Sequence, residues 1–582
     1  MTLQDDRELR GAVLRTAIYV ALALAVLSIR HDLLITRWLF LRQDALASVA
    51  VIGTALAALW LRPCWSALPR LPTLGLVVAA AISYAMLLWA GTHAVMLDYA
   101  LTRDELMVDF DQANFAVGRL SAHLPSAWTG FGPALVPDFA LGVPGQALLA
   151  SAYGPVNAAL RAGFGLVADP TLLNPLLAAA GLLSLHRIAR RLLWDSPGAQ
   201  WLVLIGYVIS AQIALNAMTS YAMTAHLALN LIWLALYLKD KWWSHALAML
   251  VGVLAIGLHQ VVFHPLFAGP IILSLLVARR RRLFAAYAAV YLSATVLWIS
   301  WPQIVMAAGG LSTQPAYDAG SRGFVASRVL PVLMRDHGGD VPLMLYNFMR
   351  TVAWNPAFML PFAMLAIPAV RRRDPMALPL AAGLLLTIVA VTVLLAYQGH
   401  GWGYRYVHGV LGNCLLLAGY GYREVARRGR EPAAAGVAAG LAATTALIVP
   451  WLVATTHSFI APYARLSTLI SHQDADFVII DSNGPGFAVD QVRNRPDLSN
   501  RPLIFSSADL TRTQVGQLCD RGSVMLFGRE LLASGEPFLR TLPTSNPAFE
   551  RQIASLRGRS CVRRVAADAG DVPPAERAVT PY

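Results

Sequence analysis

The chain has 582 residues, 57% hydrophobic and only 14% charged, whereas a soluble chain of this size carries about a quarter charged residues. With a mean hydropathy of +0.54 it belongs in a bilayer. The net charge, 46 − 33 = +13, would point to nucleic acid in a soluble protein, but here the basic residues stand in short runs between apolar stretches, which argues against a nucleic-acid partner.

The amino terminus opens with the charged "MTLQDDRELRGAVLR" and runs into an apolar stretch that lacks a small-residue cleavage site, so it reads as a retained anchor. About thirteen stretches are apolar enough to span. They cover 11–28, 44–61, 72–96, 172–189, 200–216, 223–238, 243–258, 265–278, 283–304, 352–370, 376–397, 407–423 and 433–456. Basic runs follow alternate spans: "HRIARR" (Arg187, Arg190, Arg191), "KDK" (Lys239, Lys241), Arg279 to Arg282, Arg371 to Arg373, and Arg423, Arg427, Arg428 and Arg430. Because such residues stay on the cytoplasmic side, all five runs fall on one face, and only Arg30, Arg37 and Arg42 in the first loop violate the pattern. Lysine occurs only at Lys239 and Lys241 and Ala is abundant, which suggests a GC-rich bacterial genome.

That orientation turns 97–171, 305–350, the short loops near 217–224, 259–264 and 398–406, and everything after 457 outward. The expected architecture is a mainly α polytopic membrane bundle: a hairpin over 1–71, a transmembrane region over 72–456 and a small extracytoplasmic α/β domain over 457–582. In the tail, "DFVIID" (Asp476 to Asp481), "PLIF" (Pro502 to Phe505) and "SVMLFG" (Ser523 to Gly528) are short apolar runs bounded by turn residues, and they predict strands. Cys64 and Cys414 lie beside or within apolar segments, whereas Cys519 and Cys561 lie in the tail, where an oxidising compartment permits a disulfide that spacing by itself does not establish. No CxxC or Cys/His zinc spacing occurs.

The outward segments hold the chemistry. "LDYALTRDELMVDFDQANFAVGRL" places Asp98, Asp104, Glu105, Asp109 and Asp111 just outside the third span, and on a helix several of these carboxylates share a face. A carboxylate there can take a proton from an incoming hydroxyl or hold a divalent cation against a phosphate; the bland alternative is a solvated acidic loop. "SAYGPVNAALRAG" offers Tyr153, Asn157 and Arg161 around a Gly-Pro turn. In "MTSYAMTAHLALNL", His226 and Asn230 are four apart and share a helical face, an interhelical hydrogen bond being the plainer role for Asn230. His259, Gln260 and His264 follow in the next outward hairpin; two histidines five apart do not stack as HxxxH does, so they suit a phosphate or sugar hydroxyl better than zinc. "QGHGWGYRYVHG" brings His400, Trp402, Tyr404, Arg405, Tyr406 and His408 to the outward side. Arg405 there runs against the charge bias and suits a bound anion, while the aromatics equally fit an interfacial belt.

In their order and common sidedness these marks resemble the GT-C superfamily of membrane glycosyltransferases, in particular the protein mannosyltransferase-like family 39 that includes aminoarabinose transferases. The resemblance covers about residues 72–425. It rests on the acidic pair in "RDE" (Asp104, Glu105), the "YGP" turn, "NPLLAAAGLLSLHRIARRL", "MTAHLALNLIWLALYL" and "WGYRY". The chain departs from the family in two extra spans before the acidic loop, in Gly154 for the first proline of the turn, and in a tail with no carbohydrate-binding signature.

The resemblance implies a polyprenyl-phosphate sugar donor, an outward lipid, glycan or protein acceptor and an inverting displacement. It makes Asp104 the expected base, Glu105 its neighbour or metal-associated group, and Arg405 a ligand of the donor phosphate. Asp111, Tyr153, His226, His259, His264, Tyr404 and Tyr406 complete the expected substrate-binding set, and a divalent cation (Mg or Mn) at Asp104 and Glu105 is left open. The localisation implied is the bacterial inner membrane with the tail periplasmic. Two other classes fit parts of the pattern. A transporter or flippase of lipid-linked glycans predicts inverted repeats and midplane charges, and a non-catalytic assembly protein predicts no need for the acidic pair.

Overall fold

A computed structural model describes residues 7–31, 34–61, 72–135, 140–141, 148–151, 153–310, 334, 339–427, 434–482, 487–535 and 546–563. Much of the predicted outward segment 305–350 lies outside the described residues. The chain forms two compact units, the first from residues 1–92, 171–299 and 317–455, the second from 93–170, 300–316 and 456–582.

The first unit is a helix bundle. Among the described residues seven helices are long and apolar enough to cross a membrane, with Pro197–Val208 and Ala211–Ala217 forming an eighth span bent by 44°. Four shorter apolar helices join them: Met223–Lys239, Trp242–Ile256, Phe263–Val277 and Met359–Arg371. Each of the thirteen predicted segments falls on helix, with local departures. The predicted span 200–216 breaks at Ile209 and Ser210, and the Ser210 hydroxyl caps the second piece by accepting the Ile213 N–H at 3.3 Å. The predicted start at 352 belongs to the preceding helix Asp340–Ala353, and the next begins only at Met359, beyond Pro356.

One predicted span is of a different kind. The helix Leu411–Arg427 is buried on every side from Leu411 to Val425 and packs against Met359–Leu365, Pro197–Val208 and Ala377–Leu394. Protein, not lipid, surrounds it, which lets it carry Tyr420, Tyr422, Arg423 and Glu424. Gly421 is required there, because any Cβ would collide with the Phe362 carbonyl.

Charged groups gather at one end of this helix. Arg427 pairs with Asp195 at 2.6 Å, Arg423 lies 3.6 Å from Asp195 and 3.8 Å from Asp374, and Arg372 pairs with Glu424. Two of the predicted basic runs therefore share one end of the bundle. The opposite end of the same helix carries the turn Arg405–Val410, beside Ala211–Ala217, Met223–Lys239 and Phe263–Val277. Arg37 and Arg42, which break the charge bias, lie in the opening turns of the helix Ile35–Trp60, with the Arg42 guanidinium 4.8 Å from the Trp38 ring.

The second unit contains two small sheets. Strands β1 (Ala122–His123), β2 (Ala140–Leu141) and β3 (Leu148–Ser151) pair antiparallel in the order β1-β3-β2. Strands β4 (Phe477–Ile480), β5 (Leu503–Ser506), β6 (Val524–Phe527) and β7 (Val562–Arg563) form a parallel sheet in the order β5-β4-β6-β7. The three runs predicted as strands are β4, β5 and β6, and the helix Arg512–Arg521 connects the last two. Thr511 starts that helix with a reciprocal cap, its hydroxyl accepting the Gln514 N–H at 3.2 Å while the Gln514 side chain accepts the Thr511 N–H at 2.8 Å.

Sequence reading assigns the loop 97–171 to the membrane region and makes the tail a domain of its own. In the structure the two share one core, with Met107, Phe110, Phe131 and Leu149 packed together with Phe477, Phe505, Val524 and Phe549. The half-buried Trp128 packs against this core, 5.5 Å from the Phe131 ring, 5.6 Å from Phe477 and 5.8 Å from Phe505.

Cys519 and Cys561 form a disulfide with a Cα separation of 5.5 Å, fastening the stretch before β7 to the helix Arg512–Arg521. Closing a span of 42 residues restricts the unfolded chain enough to stabilise this unit by about 4 kcal/mol. Replacing both cysteines by serine is therefore expected to lower the unfolding temperature of the second unit while the bundle's transition is unmoved. Calorimetry with both transitions resolved reads this, and an unchanged second transition contradicts it.

Candidate active site

The acidic cluster of the second unit is built on the helix Arg103–Ala116, with Thr102 at its N-cap. Asp104 stands in the first turn, half-buried, and accepts the Tyr153 hydroxyl at 2.5 Å. Tyr153 follows β3, and its backbone N–H is held by the Ser151 hydroxyl at 3.0 Å, so the Gly-Pro turn delivers this phenol to the carboxylate. A carboxylate held in one orientation by a phenol can accept a proton from a hydroxyl brought up to it.

Glu105 does something else. It is 2% exposed, and its carboxylate accepts the backbone N–H groups of Leu101 at 3.1 Å and Thr102 at 3.3 Å. Burial, with the nearby Asp109 charge in addition, pushes its pKa from the ordinary 4.5 up to about 8 against the opposing backbone hydrogen bonds and Arg493. Asp111 is also turned inward, toward the Ser151 amide and hydroxyl, and burial lifts it to about 7. Its Oδ1 is buried with no hydrogen-bond partner. Among the described residues no group of three or more His, Cys, Asp or Glu side chains is arranged to hold a metal ion, and Glu105 Oε2 accepts two backbone amides.

The raised pKa of Glu105 has a measurable sign. Between pH 4.5 and 8 the folded carboxyl keeps a proton that the unfolded chain has released, so its favourable contribution is complete below 4.5 and is lost as pH rises toward 8. Glu105→Gln retains the acceptor oxygen the cap needs and has no proton to lose. Wild type is expected to lose stability relative to this variant on going from about pH 5 to 8, as read by thermal unfolding of both across that range. A difference independent of pH contradicts the assignment.

The tail supplies neighbours that sequence reading missed. Arg103 pairs with Asp490 at 3.3 Å, and burial raises Asp490 to about 6 despite that pair and Arg493. Arg493 donates to the Ala100 carbonyl and to the Asp490 carbonyl at 3.0 Å, and its guanidinium lies 3.9 Å from the centre of the Tyr99 ring. Gln491 donates to the Tyr99 hydroxyl at 2.8 Å. Nothing in "DQVRN" marks these residues, since their partners lie on the far side of the sequence. Arg161 is buried, donating to Gln112 at 3.0 Å; burial lowers its pKa, and Asp109, Asp169 and Glu105 offset part of that.

In the first unit the structure gathers several predicted residues at the end opposite the charged cluster. Arg405 is buried, donates to the Gln398 carbonyl at 2.8 Å and places its guanidinium 5.2 Å from the Tyr406 ring and 5.6 Å from Tyr221. Tyr406 stacks on Phe263 at 6.1 Å, and Phe263 meets His226 edge-on at 5.4 Å. His226 lies near His259, His264 and His408, and the rings of both His226 and His408 are buried without a hydrogen-bond partner.

Two predicted residues have structural duties. His264 bonds Asn230 at 2.8 Å and Tyr291 at 3.3 Å, while Asn230 donates to the Gly409 carbonyl at 2.9 Å, so the polar pair ties helices to the turn Arg405–Val410. Tyr404 is directed toward Met344, 3.6 Å from its sulfur, and its carbonyl accepts Gln212 at 2.7 Å.

Fold and side chains together define a polytopic helical membrane protein with an appended α/β unit and two polar clusters on its loop segments. No family model matches the sequence, and no curated protein matches it. Among solved structures, the chain is similar to ArnT from Cupriavidus metallidurans bound to undecaprenyl phosphate, at 15% identity and a TM-score of 0.47 over 72% of this chain and 85% of that one. The apo state of the same protein gives 14% identity and a TM-score of 0.44 over 71% and 84%. Likeness at this level assigns no residue of this chain a role.

Proposed function

We propose that the chain is a membrane glycosyltransferase of GT-C type that moves a hexosyl or pentosyl group from a polyprenyl-phosphate donor to an outward lipid, glycan or protein acceptor. The observation that carries this reading is the buried Arg405 at the loop end of the bundle, its guanidinium beside Tyr221 and Tyr406, with His408 in the same turn Arg405–Val410 and His226 reached from Tyr406 through Phe263. A polyprenyl chain partitions into the bilayer and leaves its phosphate at headgroup depth, where a guanidinium held in place by aromatic rings meets it with two parallel hydrogen bonds.

The reaction has two requirements. The bond between the anomeric carbon and the phosphate oxygen breaks with its electron pair going to the phosphate, and Arg405 stabilises the charge that develops there. The acceptor hydroxyl forms the new bond at the opposite face and gives its proton to a carboxylate, the role we assign to Asp104, with Tyr153 orienting it. The disulfide Cys519–Cys561 supports a periplasmic second unit and an inner-membrane location, since such bonds persist in oxidising compartments.

Mass spectrometry of membrane lipids and surface glycans from a deletion strain tests the proposal. Accumulation of a sugar-phosphate polyprenyl lipid together with loss of one sugar elsewhere is the expected pair of changes. Unaltered lipids and glycans would favour a non-catalytic assembly role, and accumulation of intact lipid-linked glycan without loss of a single sugar would favour a flippase.

A further inference from the structure

Asp44 is a buried acid on the second membrane helix that no part of the proposed reaction uses. The helix Ile35–Trp60 is interrupted at Phe40–Asp44 by a π-helical turn, which rotates the residues after it and aims Asp44 inward. There Asp44 meets Arg350 of the helix Asp340–Ala353, Nε to Oδ2 at 3.2 Å, with the two side chains 3% and 1% exposed. Trp354 Nε1 donates to the second oxygen at 2.8 Å. Ser48 donates to the Met349 carbonyl at 3.1 Å, and Phe40 packs edge-on against Tyr346 at 5.2 Å, so the two helices are clamped around the pair.

The guanidinium continues outward. Arg350 Nη1 donates to the Gly399 carbonyl at 3.1 Å, and Asn347, one turn earlier, donates to the Ala396 carbonyl at 3.0 Å. Gly399 has φ +63°, a left-handed conformation that favours glycine and puts its carbonyl at the start of a tight loop. The preceding residue, Gln398, holds Arg405 twice, its carbonyl accepting Nη2 at 2.8 Å and its Oε1 accepting the Arg405 N–H at 3.1 Å. Gln398 also donates to the Gly403 carbonyl at 2.9 Å, and Trp354 lies 6.1 Å from Trp402. An unbroken path of hydrogen bonds and covalent links therefore runs from Asp44 through Arg350 and Gly399 to the Arg405 guanidinium.

We infer that Asp44 and Arg350 are positioning residues that set the loop 396–405, and through it the Arg405 guanidinium, for the donor phosphate. This rests on the proposed function for the identity of the ligand. A buried ion pair stabilises a fold little compared with apolar side chains of the same volume, whereas it holds its partners in one geometry. The planar fork of Arg350 suits that task, because one side chain spans Asp44 and the Gly399 carbonyl in fixed directions, which an ammonium does not do.

The test uses the full-length protein in lipid nanodiscs, as wild type, Asp44→Asn and Arg350→Lys, the last keeping the charge and losing the fork. Hydrogen exchange reads the loop. Amides of 396–405 are expected to exchange about tenfold faster in Asp44→Asn, with an intermediate rise in Arg350→Lys and no change in the helix Met223–Lys239. Kinetics read the consequence. The donor KM rises about tenfold in Asp44→Asn and kcat falls with it, whereas a loss of folded protein lowers kcat without moving KM. Should Asp44→Asn not accumulate, Arg350→Lys decides by the same two measurements.

Unchanged exchange over 396–405 overturns the inference whatever the kinetics show. Faster exchange with an unchanged donor KM overturns its link to the phosphate. If exchange responds as expected but wild type binds no polyprenyl phosphate in a direct assay, the positioning pair stands and the proposed function fails.

Discussion

Asp104→Asn is expected to slow sugar transfer by about three orders of magnitude while leaving donor binding within about threefold of wild type. Asparagine has the shape of aspartate and keeps an oxygen for the Tyr153 hydroxyl, now 2.5 Å from the carboxylate, so the local structure survives. What it lacks is the ability to accept the acceptor's proton as the new glycosidic bond forms. The loss therefore falls on kcat, at both low and saturating donor. Purified protein assayed for release of sugar from a polyprenyl-phosphate donor gives the answer, and a variant within a few-fold of wild type removes Asp104 from the mechanism. Glu105 offers no substitute for it, because its side chain is buried and its Oε2 caps the helix by accepting the amides of Leu101 and Thr102.

Arg405→Ala carries the second large effect. A charge-assisted hydrogen bond contributes about 1.5–3 kcal/mol, and loss of a two-pronged contact with phosphate is expected to lower kcat/KM by about a hundredfold or more. Arg405→Lys restores the charge without the paired geometry and is expected to recover part of the loss. The substitution also empties the space beside Tyr221 and Tyr406, so binding of the sugar-free polyprenyl phosphate should be measured alongside turnover. Weakened binding of that lipid with retained folding supports a phosphate contact. Undiminished binding moves the phosphate elsewhere, and with it the reading of this cluster.

Both residues stood out in the sequence for a local reason. Asp104 sits in an acidic run directly after an apolar span, and Arg405 is a basic residue on the side from which the other basic runs are absent. Their neighbours divide differently. His226 and Tyr406 do come close to Arg405's surroundings through Phe263, as their shared sidedness suggested. His264 and Tyr404 share that sidedness and nevertheless face inward, because which way a residue points on a short helix or turn is settled by what packs against it. Asp490 and Arg493 had no local mark, and only the shared core of the first loop and the tail brings them to the helix Arg103–Ala116. The Asp44–Arg350 pair, 306 residues apart, was equally hidden.

By itself the sequence determined the helical segments, the clustering of basic runs at one end of the bundle and three strands of the tail, because each is a contest between one short stretch and its solvent: apolar side chains leave water, guanidinium groups refuse hydrocarbon, and alternation or turn residues bound a strand. Tertiary structure decided the rest. It joined loop and tail into one unit, turned Glu105 and Asp111 inward, closed the Cys519–Cys561 bridge and set Arg350 between Asp44 and Gly399. These are pairings of groups far apart along the chain, and their energies depend on burial and direction that exist only after the helices and sheets have packed.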